Sequence, residues 1–252
     1  MTGAPRLADA WVRGASLVGL LAIWQLAATF ADPTLLPGPA VVLFRVWRGI
    51  VAGELLYHLA MTLARVAVSF LVAMAVGTAV GILMGRFRWV DASLDGALIL
   101  GLNIPALVTT ILCYIWLGLG EVAAVTAVAL NKIPTVAVTL REGARAVDRE
   151  LLDVAAVFRV PPARVFTRIY LPQLYPYLMV AARSGLALVW KIVLVVELLG
   201  RSSGVGFQLG AFFQFFDLTS ILAYTLAFAC AIVLIEMLAL RPLERRLTRW
   251  RR

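Results

Sequence analysis

Long apolar stretches alternate with short polar segments along the chain. A helix needs about 20 apolar residues to cross the roughly 30 Å hydrocarbon core of a bilayer. Six stretches approach or reach that length, at about 14–31, 62–84, 93–117, 120–140, 176–199 and 220–240. The pattern predicts an all-α integral membrane protein with about six transmembrane helices. We expect one transmembrane domain over residues 1–252, with a peripheral first span and core spans over 62–240.

Residues 37–57 are too polar to form a span. Pro37 and Pro39 suit the start of a helix, where a missing N–H donor is not needed. The residues that follow give such a helix one apolar face: Val42, Phe44, Val46, Trp47 and Ile50. We therefore predict an interfacial helix on the outer surface of the membrane.

The first apolar stretch allows two interpretations. It follows Arg6 and Arg13 and ends in ATFADP, which also fits a secretory signal peptide cleaved after Ala31. If the stretch is retained, the number of spans is even and both termini lie on one side of the membrane. Our prediction is the retained span, and the cleaved leader stays open.

The composition rules out a soluble fold. The 252 residues are 62% hydrophobic and 15% charged, with a mean hydropathy of +0.94, whereas soluble domains are about 45–50% apolar and about 25% charged. The net charge of +9 would suit a nucleic-acid partner. However, the basic residues lie between and beyond the apolar stretches, as membrane topology signals do. We therefore expect a membrane environment and no nucleic acid.

The positions of the arginines predict the orientation. With a cytoplasmic N-terminus, the inner side carries most of them: Arg6, Arg13, Arg86, Arg88, Arg141, Arg145, Arg149, Arg159, Arg164, Arg168 and the arginines of a basic tail at 241–252. The outer side carries Arg45, Arg48 and Arg201, with Arg65 near an outer helix end. Under the positive-inside rule, both termini are then cytoplasmic.

Candidate catalytic and metal-binding residues are few. His58 lacks the partners that a metal site needs, so we expect an interfacial polar residue. Cys113 and Cys230 lie in apolar stretches, which favours buried small side chains over a disulfide. The sequence contains no phosphate-binding P-loop, no HExxH motif and no plausible Ser/His pairing. A membrane-embedded enzyme is therefore disfavoured.

Three glycines recur at four-residue steps in the second predicted span: Gly77, Gly81 and Gly85. Glycines on one face of a helix let another backbone come close, which is a common way for helices to pack in lipid. We predict that this face packs against another helix.

Four polar residues inside predicted spans are candidates for the translocation path: Asn131, Lys132, Lys191 and Glu197. A charge at the centre of a bilayer costs about 2.5–3.5 kcal/mol on insertion scales, so such residues usually face protein or water. Lys191 facing the path would favour an anion. A structural ion pair of Lys191 or Lys132 with Glu236 is an equally open alternative.

The segment 143–172 combines arginines, adjacent prolines and apolar residues at helical spacing. From Asp148 the spacing predicts a short amphipathic helix, which Pro161 and Pro162 end because proline lacks an N–H donor. A second short helix is expected, and two more prolines mark the return to the membrane, Pro172 and Pro176. Such a cytoplasmic pair of helices is suited to docking a cytosolic protein; a solvated loop held at the headgroups by arginine is the alternative.

This segment resembles the coupling loop of type I ABC importer permeases, which depend on a binding protein. Their pattern is Glu-Ala-Ala, three residues, Gly, nine residues, Ile, any residue, and Leu-Pro. The corresponding positions here are Asp153-Val154-Ala155, Arg159 and Ile169-Tyr170-Leu171-Pro172. Elsewhere, HLAMTLARVAVSF at 58–70 is similar to the first core span of that family. ELLGRSSGVGF at 197–207 and RPLERRLTRW at 241–250 resemble the nitrate, sulfonate, taurine and bicarbonate branch.

The resemblance covers nearly the whole chain and implies the MetI-like fold. Three positions depart from the pattern, because Asp153 replaces Glu, Val154 replaces Ala and Arg159 replaces Gly. Glycine would let the helix end at no steric cost. With arginine there, we expect Val160 and Pro161 to make the break.

The resemblance also implies how the transporter works. A separate cytosolic ATPase uses ATP and Mg²⁺, so this chain is expected to be no enzyme and to bind no cofactor. The residues expected to couple to the ATPase are Leu152, Asp153, Val154, Ala155, Ala156, Phe158, Arg159, Pro161, Ile169, Leu171 and Pro172. A second permease subunit, expected to be identical, completes the path in the bacterial inner membrane.

An extracytoplasmic solute-binding protein is expected to dock near the 37–57 helix and the 200–217 loop. Four glycines are expected to make that loop compliant: Gly200, Gly204, Gly206 and Gly210. The cargo is open among nitrate, sulfonates, bicarbonate and neutral heterocycles. An ion-coupled secondary transporter is the rival function. Asn103–Pro105 could break span three as that rival requires, but no acidic pair lies near the midplane.

Overall fold

The computed structural model describes residues 7–240 and Pro242, and the regular structure within them is entirely helical. The helices are α1 (Leu7–Phe30), α2 (Pro39–Val51), α3 (Glu54–Arg86), α4 (Arg88–Asn103), α5 (Ala106–Leu117), α6 (Glu121–Arg145), α7 (Arg149–Val157), α8 (Pro162–Val165), α9 (Leu171–Gly200), α10 (Val205–Gln214) and α11 (Leu218–Ile235). Two π-helical turns follow α8 and α11, at Phe166–Tyr170 and Glu236–Leu240. Arg6 and the predicted basic tail, apart from Pro242, lie outside the described residues.

The centre of the fold is formed by α3, α6 and α9. The glycine face of α3 lies at its contact with α6. A Cβ atom on Gly77 would lie 2.6 Å from the Cβ of Val136, and one on Gly81 would lie 2.5 Å from the carbonyl oxygen of Ala137. Gly85 lies equally close to α6. Any side chain at these positions would push the two helices apart.

Four helical stretches are long and apolar enough to cross a membrane: Glu54–Arg86, Glu121–Arg145, Pro162–Gly200 and Leu218–Leu238. They contain the predicted spans 62–84 and 176–199, all but the first residue of 120–140, and all but the last two residues of 220–240. The predicted all-α membrane fold is therefore confirmed.

The third predicted span, 93–117, is not one straight helix. It is divided between α4 and α5, which are bent by 103° at a break before and at Pro105. Ile104 is extended there (φ −72°, ψ 124°), because the proline ring disfavours helical geometry in the preceding residue. The pair counts as a fifth span if its two limbs are taken together.

The first predicted span corresponds to α1, at the edge of the bundle. Its apolar part, Gly14–Phe30, is shorter than the four long stretches, and most of its side chains from residue 11 onward are exposed. Nε1 of Trp24 donates a hydrogen bond to the carbonyl of Pro37 at 3.2 Å. This position is the peripheral one expected from the sequence, and the retention of α1 as a span stays a prediction.

The predicted interfacial segment forms α2, which packs on α11. Val42 is fully buried, whereas Phe44 and Trp47 are exposed. Nε of Arg45 donates a hydrogen bond to Oγ of Ser220 on α11 at 2.8 Å. The apolar face expected from the sequence is therefore divided, with its smaller residue in the core and its aromatic residues on the surface.

The segment 143–172 does not form two separate short helices. Only α7 is separate, because α8, the π turn at Phe166–Tyr170 and α9 join into one continuous helix of 39 residues from Pro162 to Gly200. Pro172 lies in the first turn of α9 and Pro176 lies inside α9. Because the helix is already continuous from Pro162, neither proline marks its start, which corrects the prediction. The π turn at 166–170 ends two residues before Pro172, and this proline lacks an N–H donor and crowds the carbonyl four residues earlier, inside the turn.

Candidate coupling site and translocation surface

The start of α7 is fixed by two hydrogen bonds of Asp148, one through its side chain and one through its backbone N–H. The side chain of Asp148 accepts a hydrogen bond from the backbone N–H of Glu150 at 2.9 Å, which caps the helix. The backbone N–H of Asp148 donates to Oε1 of Gln173 on α9, also at 2.9 Å. α7 is therefore tied at its first turn to the base of α9.

The end of α7 is made by Arg159 itself. Its φ is +49°, in the left-handed region. Its N–H donates to the carbonyl of Ala156 at 3.0 Å, and the N–H of Val160 donates to the carbonyl of Ala155 at 2.9 Å. These are the two hydrogen bonds of a Schellman motif, which usually has glycine at this position. The expectation that Val160 and Pro161 make the break is wrong, because Arg159 adopts the glycine-like conformation at a cost of about 1–2 kcal/mol.

α7 has an apolar face toward the bundle and another toward the surroundings. Ala155 is buried and Leu152 packs against the bundle. The outward apolar face consists of Leu151, Val154, Val157 and Phe158, and 76% of the surface of Phe158 is exposed. We call these four residues the α7 outer face.

The remaining residues predicted to couple fall into two groups. Asp153, Ala156, Arg159 and Pro161 are exposed on or beside α7; Ile169, Leu171 and Pro172 are half-buried at the base of α9. The second group therefore anchors the segment to the bundle. Sequence reasoning did not assign Leu151 and Val157 to the coupling site, although each lies three residues from Val154, the spacing of one helix face.

Lys191 is exposed on α9 and lines a cavity of about 440 Å³ between α9 and α11. Arg183 and Glu236 line the same cavity, and Trp190 and Phe228 provide apolar wall. Arg183 precedes Lys191 by eight residues, which places both on one face of α9. Two basic groups and one carboxylate therefore share this cavity.

Lys132 and Asn131 do not join this cavity. Lys132 is 1% exposed, and its Nζ makes no hydrogen bond to any residue that the structure describes. Its side chain packs on α9, where a Cβ on Gly185 would lie 2.6 Å from Cε of Lys132. The amide of Asn131 donates to the carbonyl of Ala127 in its own helix at 2.9 Å. A hydrogen-bonded pair between Lys132 and Glu236 is therefore not formed.

An ion-pair network that is buried at Arg65 and Glu197 and exposed at Glu121 joins α3 and α6 to the end of α9. Nη1 of Arg65 lies 2.6 Å from Oε1 of Glu197, and Nη2 of Arg65 lies 2.8 Å from Oε1 of Glu121. Nη2 of Arg201 lies 2.6 Å from the same oxygen of Glu121. Glu197 is fully buried, and its Oε2 accepts a hydrogen bond from Thr62 at 2.8 Å. We call these five residues the Glu197 network. Sequence reasoning missed the role of Arg65 and Glu121 in it.

The chain after α9 packs closely on Glu197 and is not loose at its glycines. Gly204 has a φ of +111° and faces the carboxyl group of Glu197 so closely that a Cβ would overlap it. The N–H of Gly206 donates to Oε2 of Glu197 at 2.9 Å, and its α-carbon abuts the carbonyl of Leu194. Both oxygens of Glu197 are therefore bound inside the protein. Its role in the path stays a prediction, without support from this geometry.

His58 is buried. The expectation that it lies at the interface is therefore wrong. Its Nδ1 accepts a hydrogen bond from the N–H of Gly204 at 3.0 Å, and its Nε2 lies 2.7 Å from the amide of Gln208. Over residues 7–240, no group of three or more His, Cys, Asp or Glu side chains could hold a metal ion. Both cysteines are free, and Cys113 is buried as expected whereas Cys230 is exposed.

Residues 77–247 match the model of the family described as "Binding-protein-dependent transport system inner membrane component". The matched stretch is more than half of the chain. The chain belongs to this family. It is a type I ABC importer permease, and hence a multi-pass membrane protein and a transport subunit, not an enzyme.

Named relatives of this permease differ in their solutes. It is 31% identical to a "Putative aliphatic sulfonates transport permease protein SsuC" of Bacillus subtilis, over 96% of this chain and 88% of the relative. It is 30% identical to the "Taurine transport system permease protein TauC" of Escherichia coli, over 93% and 88%. It is 27% identical to the "Riboflavin transport system permease protein RibX" of Chloroflexus aurantiacus, again over 93% and 88%.

The family match covers the regions of this permease unequally. α7, the cavity beside Lys191, and both acidic residues of the Glu197 network lie inside the matched stretch. Thr62 and Arg65 lie before it. The two residues of α3 that bind Glu197 therefore come from a part of the chain that the family model does not cover.

Proposed function

We propose that this permease is the membrane subunit of an ATP-driven importer for a small organic anion. Two copies form the path, and each binds a cytosolic ATPase through the α7 outer face. The ATPase uses ATP and Mg²⁺, and the permease binds no cofactor. An extracytoplasmic solute-binding protein docks at the opposite end of the bundle, near α2 and α10.

The observation that carries the ATPase contact is the α7 outer face. Three of its four large apolar side chains stand on a helix of nine residues, and the fourth, Phe158, is at the C-cap of that helix. Charged neighbours surround them, including Glu150 and Asp153. An exposed apolar patch with a polar rim is typical of a surface that binds another protein.

The arginine distribution supports a cytoplasmic position for α7. This end of the bundle carries six arginines that form no ion pair with a described residue: Arg86, Arg88, Arg149, Arg159, Arg164 and Arg168. The opposite end carries far fewer basic residues. Cytoplasmic loops of membrane proteins are enriched in arginine and lysine.

Site-directed crosslinking tests the ATPase contact. Cys113 and Cys230 are first replaced by alanine, and single cysteines are introduced at Val154 and Phe158. We expect both to crosslink to the ATPase subunit that co-purifies with the tagged permease from native membranes. Cysteines at Ala155, buried on the same helix, and at Ala52, exposed at the other end, are the controls.

Three outcomes separate the alternatives. Crosslinks at Val154 and Phe158 but at neither control support the ATPase contact. Crosslinks only to lipid probes would place α7 among the lipid headgroups and would contradict the proposed ATPase contact. Uptake driven by an ion gradient in vesicles that contain the permease alone would instead favour an ion-coupled transporter, for which the bend between α4 and α5 is a typical feature.

The cavity beside Lys191 supports an anionic cargo. Arg183 and Lys191 bring two positive charges to its wall and Glu236 brings one negative charge, so one net positive charge faces the cavity. In the proposed pair of permease copies, the second copy completes the path at this cavity. Two relatives are named for sulfonate or taurine transport. The riboflavin relative means that family membership does not choose the solute by itself.

Uptake by whole cells tests the cargo with four probes: taurine, methanesulfonate, nitrate and riboflavin. We expect a sulfonate to be imported by the wild type. Lys191→Met should lower its uptake about tenfold, which corresponds to about 1.4 kcal/mol of lost attraction. Lys191→Arg keeps the charge and should retain most uptake. Unchanged selectivity in Lys191→Met would remove Lys191 from the path without affecting the ATPase contact.

A further inference from the structure

A second cavity lies between α7 and the bundle and is not part of the proposed path. Its volume is about 510 Å³, and it is lined by the ends of α3 and α6, by α7 and by the π turn before α9. The α7 outer face points away from it, because the cavity lies on the side of Leu152. This cavity therefore has to be explained separately from ATPase docking.

The cavity carries excess positive charge. Three arginines line it, namely Arg86, Arg145 and Arg149. Arg145 is neutralised, since its guanidinium lies 2.5 Å from Asp91 and 3.2 Å from Glu142. Arg86 and Arg149 form no ion pair with a residue that the structure describes. Two exposed arginines that have no ion pair among the described residues thus share the wall of one partly open cavity, which favours an anion.

Tyr170 lines the same cavity and carries a buried hydroxyl. Tyr170 is 8% exposed, and its hydroxyl makes no hydrogen bond to any residue between 7 and 240. A buried polar group left unpaired costs about 1–3 kcal/mol. Its position is set by the π turn, in which the N–H of Leu171 donates to the carbonyl of Phe166. Such turns often occur at functional sites.

The rest of the wall is apolar. Leu152, Val165 and Phe166 line it, and the ring of Phe166 stacks on Tyr170 with centroids 5.8 Å apart. A ligand that fits must therefore combine a compact anion with apolar neighbours. Arginine binds phosphate oxygens through paired N–H donors, and basic pockets at the ends of membrane helices bind phospholipid headgroups.

We propose that this cavity binds a phosphate group through Arg86, Arg149 and the hydroxyl of Tyr170, and that the phosphate comes from an anionic phospholipid headgroup or from free phosphate. The bound group bridges the end of α3, the start of α7 and the base of α9. It stabilises the position of α7 against the bundle. The proposal requires only that the protein is a membrane protein and is independent of the ATPase contact.

Thermal unfolding of the purified full-length permease in an uncharged detergent tests this site without the ATPase. The probes are short-chain phosphatidylglycerol, short-chain phosphatidylcholine and inorganic phosphate. We expect phosphatidylglycerol to raise the Tm more than phosphatidylcholine. A matching rise with inorganic phosphate would identify free phosphate as the source, and a rise with phosphatidylglycerol alone would identify the lipid.

Charge variants separate a built site from general attraction. Arg86→Gln and Arg149→Gln should each raise the half-saturating concentration of the active probe about tenfold or more. Arg88→Gln removes a charge at the same end of the bundle but outside the cavity, and should change that concentration less than twofold. Equal effects of all three variants would overturn the proposal, as would the absence of a shift with every probe.

Tyr170→Phe gives a readout that a purely structural role would not produce. Without ligand, the variant should be as stable as the wild type or more stable, because it deletes an unpaired buried hydroxyl. With ligand, it should bind several-fold more weakly. Unchanged binding would remove Tyr170 from the site and leave the arginines alone to account for any shift.

Discussion

The two ends of α9 are built in opposite ways. At its last turn, Glu197 is fully buried and both of its oxygens are bound by Arg65, Thr62 and Gly206. At its base, Tyr170 keeps a hydroxyl without a partner among the described residues, and nearby Arg159 has left-handed geometry. At the Glu197 end, both oxygens of the buried carboxylate have hydrogen-bond partners. At the Tyr170 end, a strained residue lies near a hydroxyl that has no partner among the described residues.

This difference shows how one long helix can join a fixed frame to an element able to move. Separating a buried ion pair leaves an uncompensated charge, which costs about 3–5 kcal/mol, so the Glu197 network resists rearrangement. α7 is short, largely exposed and ended by a strained turn, and such segments open at low free energy. We therefore expect motion to concentrate at the base of α9.

The largest effect should come from breaking the Glu197 network. Arg65→Met leaves Glu197 buried without its charge partner and should lower the free energy of unfolding by about 3–5 kcal/mol. Arg201→Met removes the more exposed arginine of the same network and should cost about 1 kcal/mol or less. Denaturant titration of the purified variants measures both. Equal losses would contradict the claim that the stability of this end depends on the buried partner of Glu197.

A smaller loss is expected from filling the space next to Glu197. Gly206→Ala places a methyl group against the backbone carbonyl of Leu194, which cannot move aside as a side chain could. We expect a loss of about 3 kcal/mol, the upper end of the usual overpacking range. Gly96→Ala is the matched control, because a Cβ there meets no atom within 4 Å. Its thermal stability should be unchanged or slightly higher.

A substitution on the α7 outer face should weaken ATPase binding and leave the stability of the permease unchanged. Phe158→Ala deletes the most exposed aromatic ring of the α7 outer face and should weaken ATPase binding by about 2 kcal/mol, or about 30-fold. Its Tm should equal that of the wild type. Phe213→Ala removes a similarly exposed ring on α10 and should leave ATPase binding intact. Titration of the ATPase onto immobilised permease checks all three proteins.

The smallest effect concerns the turn at the end of α7. Arg159→Gly should relieve left-handed strain, and Arg159→Ala should keep it while deleting the same side chain. We expect the amides of residue 159 and Val160 to be protected from hydrogen exchange by about 1 kcal/mol more in the glycine variant than in the alanine variant. Equal protection of these amides in the two variants would mean that the left-handed conformation at residue 159 does not destabilise the turn.

Much of the fold followed from local patterns. The lengths of apolar runs predicted α3, α6, α9 and α11, because a lipid environment makes run length itself a structural signal. The four-residue glycine spacing predicted a packing face, and the helical spacing after Asp148 predicted α7. These predictions needed only residues near each other in the chain.

Other features could not be predicted in this way. The partners of Glu197 lie 135 and 132 residues away, at Thr62 and Arg65, and no local pattern links them. Pro105 signalled a break but not its 103° bend. Pro172 signalled a helix start, yet the helix continues through it. Arg159 also adopts a left-handed backbone conformation that residues other than glycine disfavour.

The sequence by itself determined the membrane environment, the helical architecture and the place of α7, because these depend on composition and on spacing within one segment. The tertiary structure alone decided which polar groups are satisfied and which are not. It closed Glu197 into a network, buried Lys132, exposed Lys191 and left the Tyr170 hydroxyl without a hydrogen-bond partner among the described residues. Hydrogen bonds and ion pairs between distant segments exist only once the helices are packed, and their energies depend on the distances that packing sets.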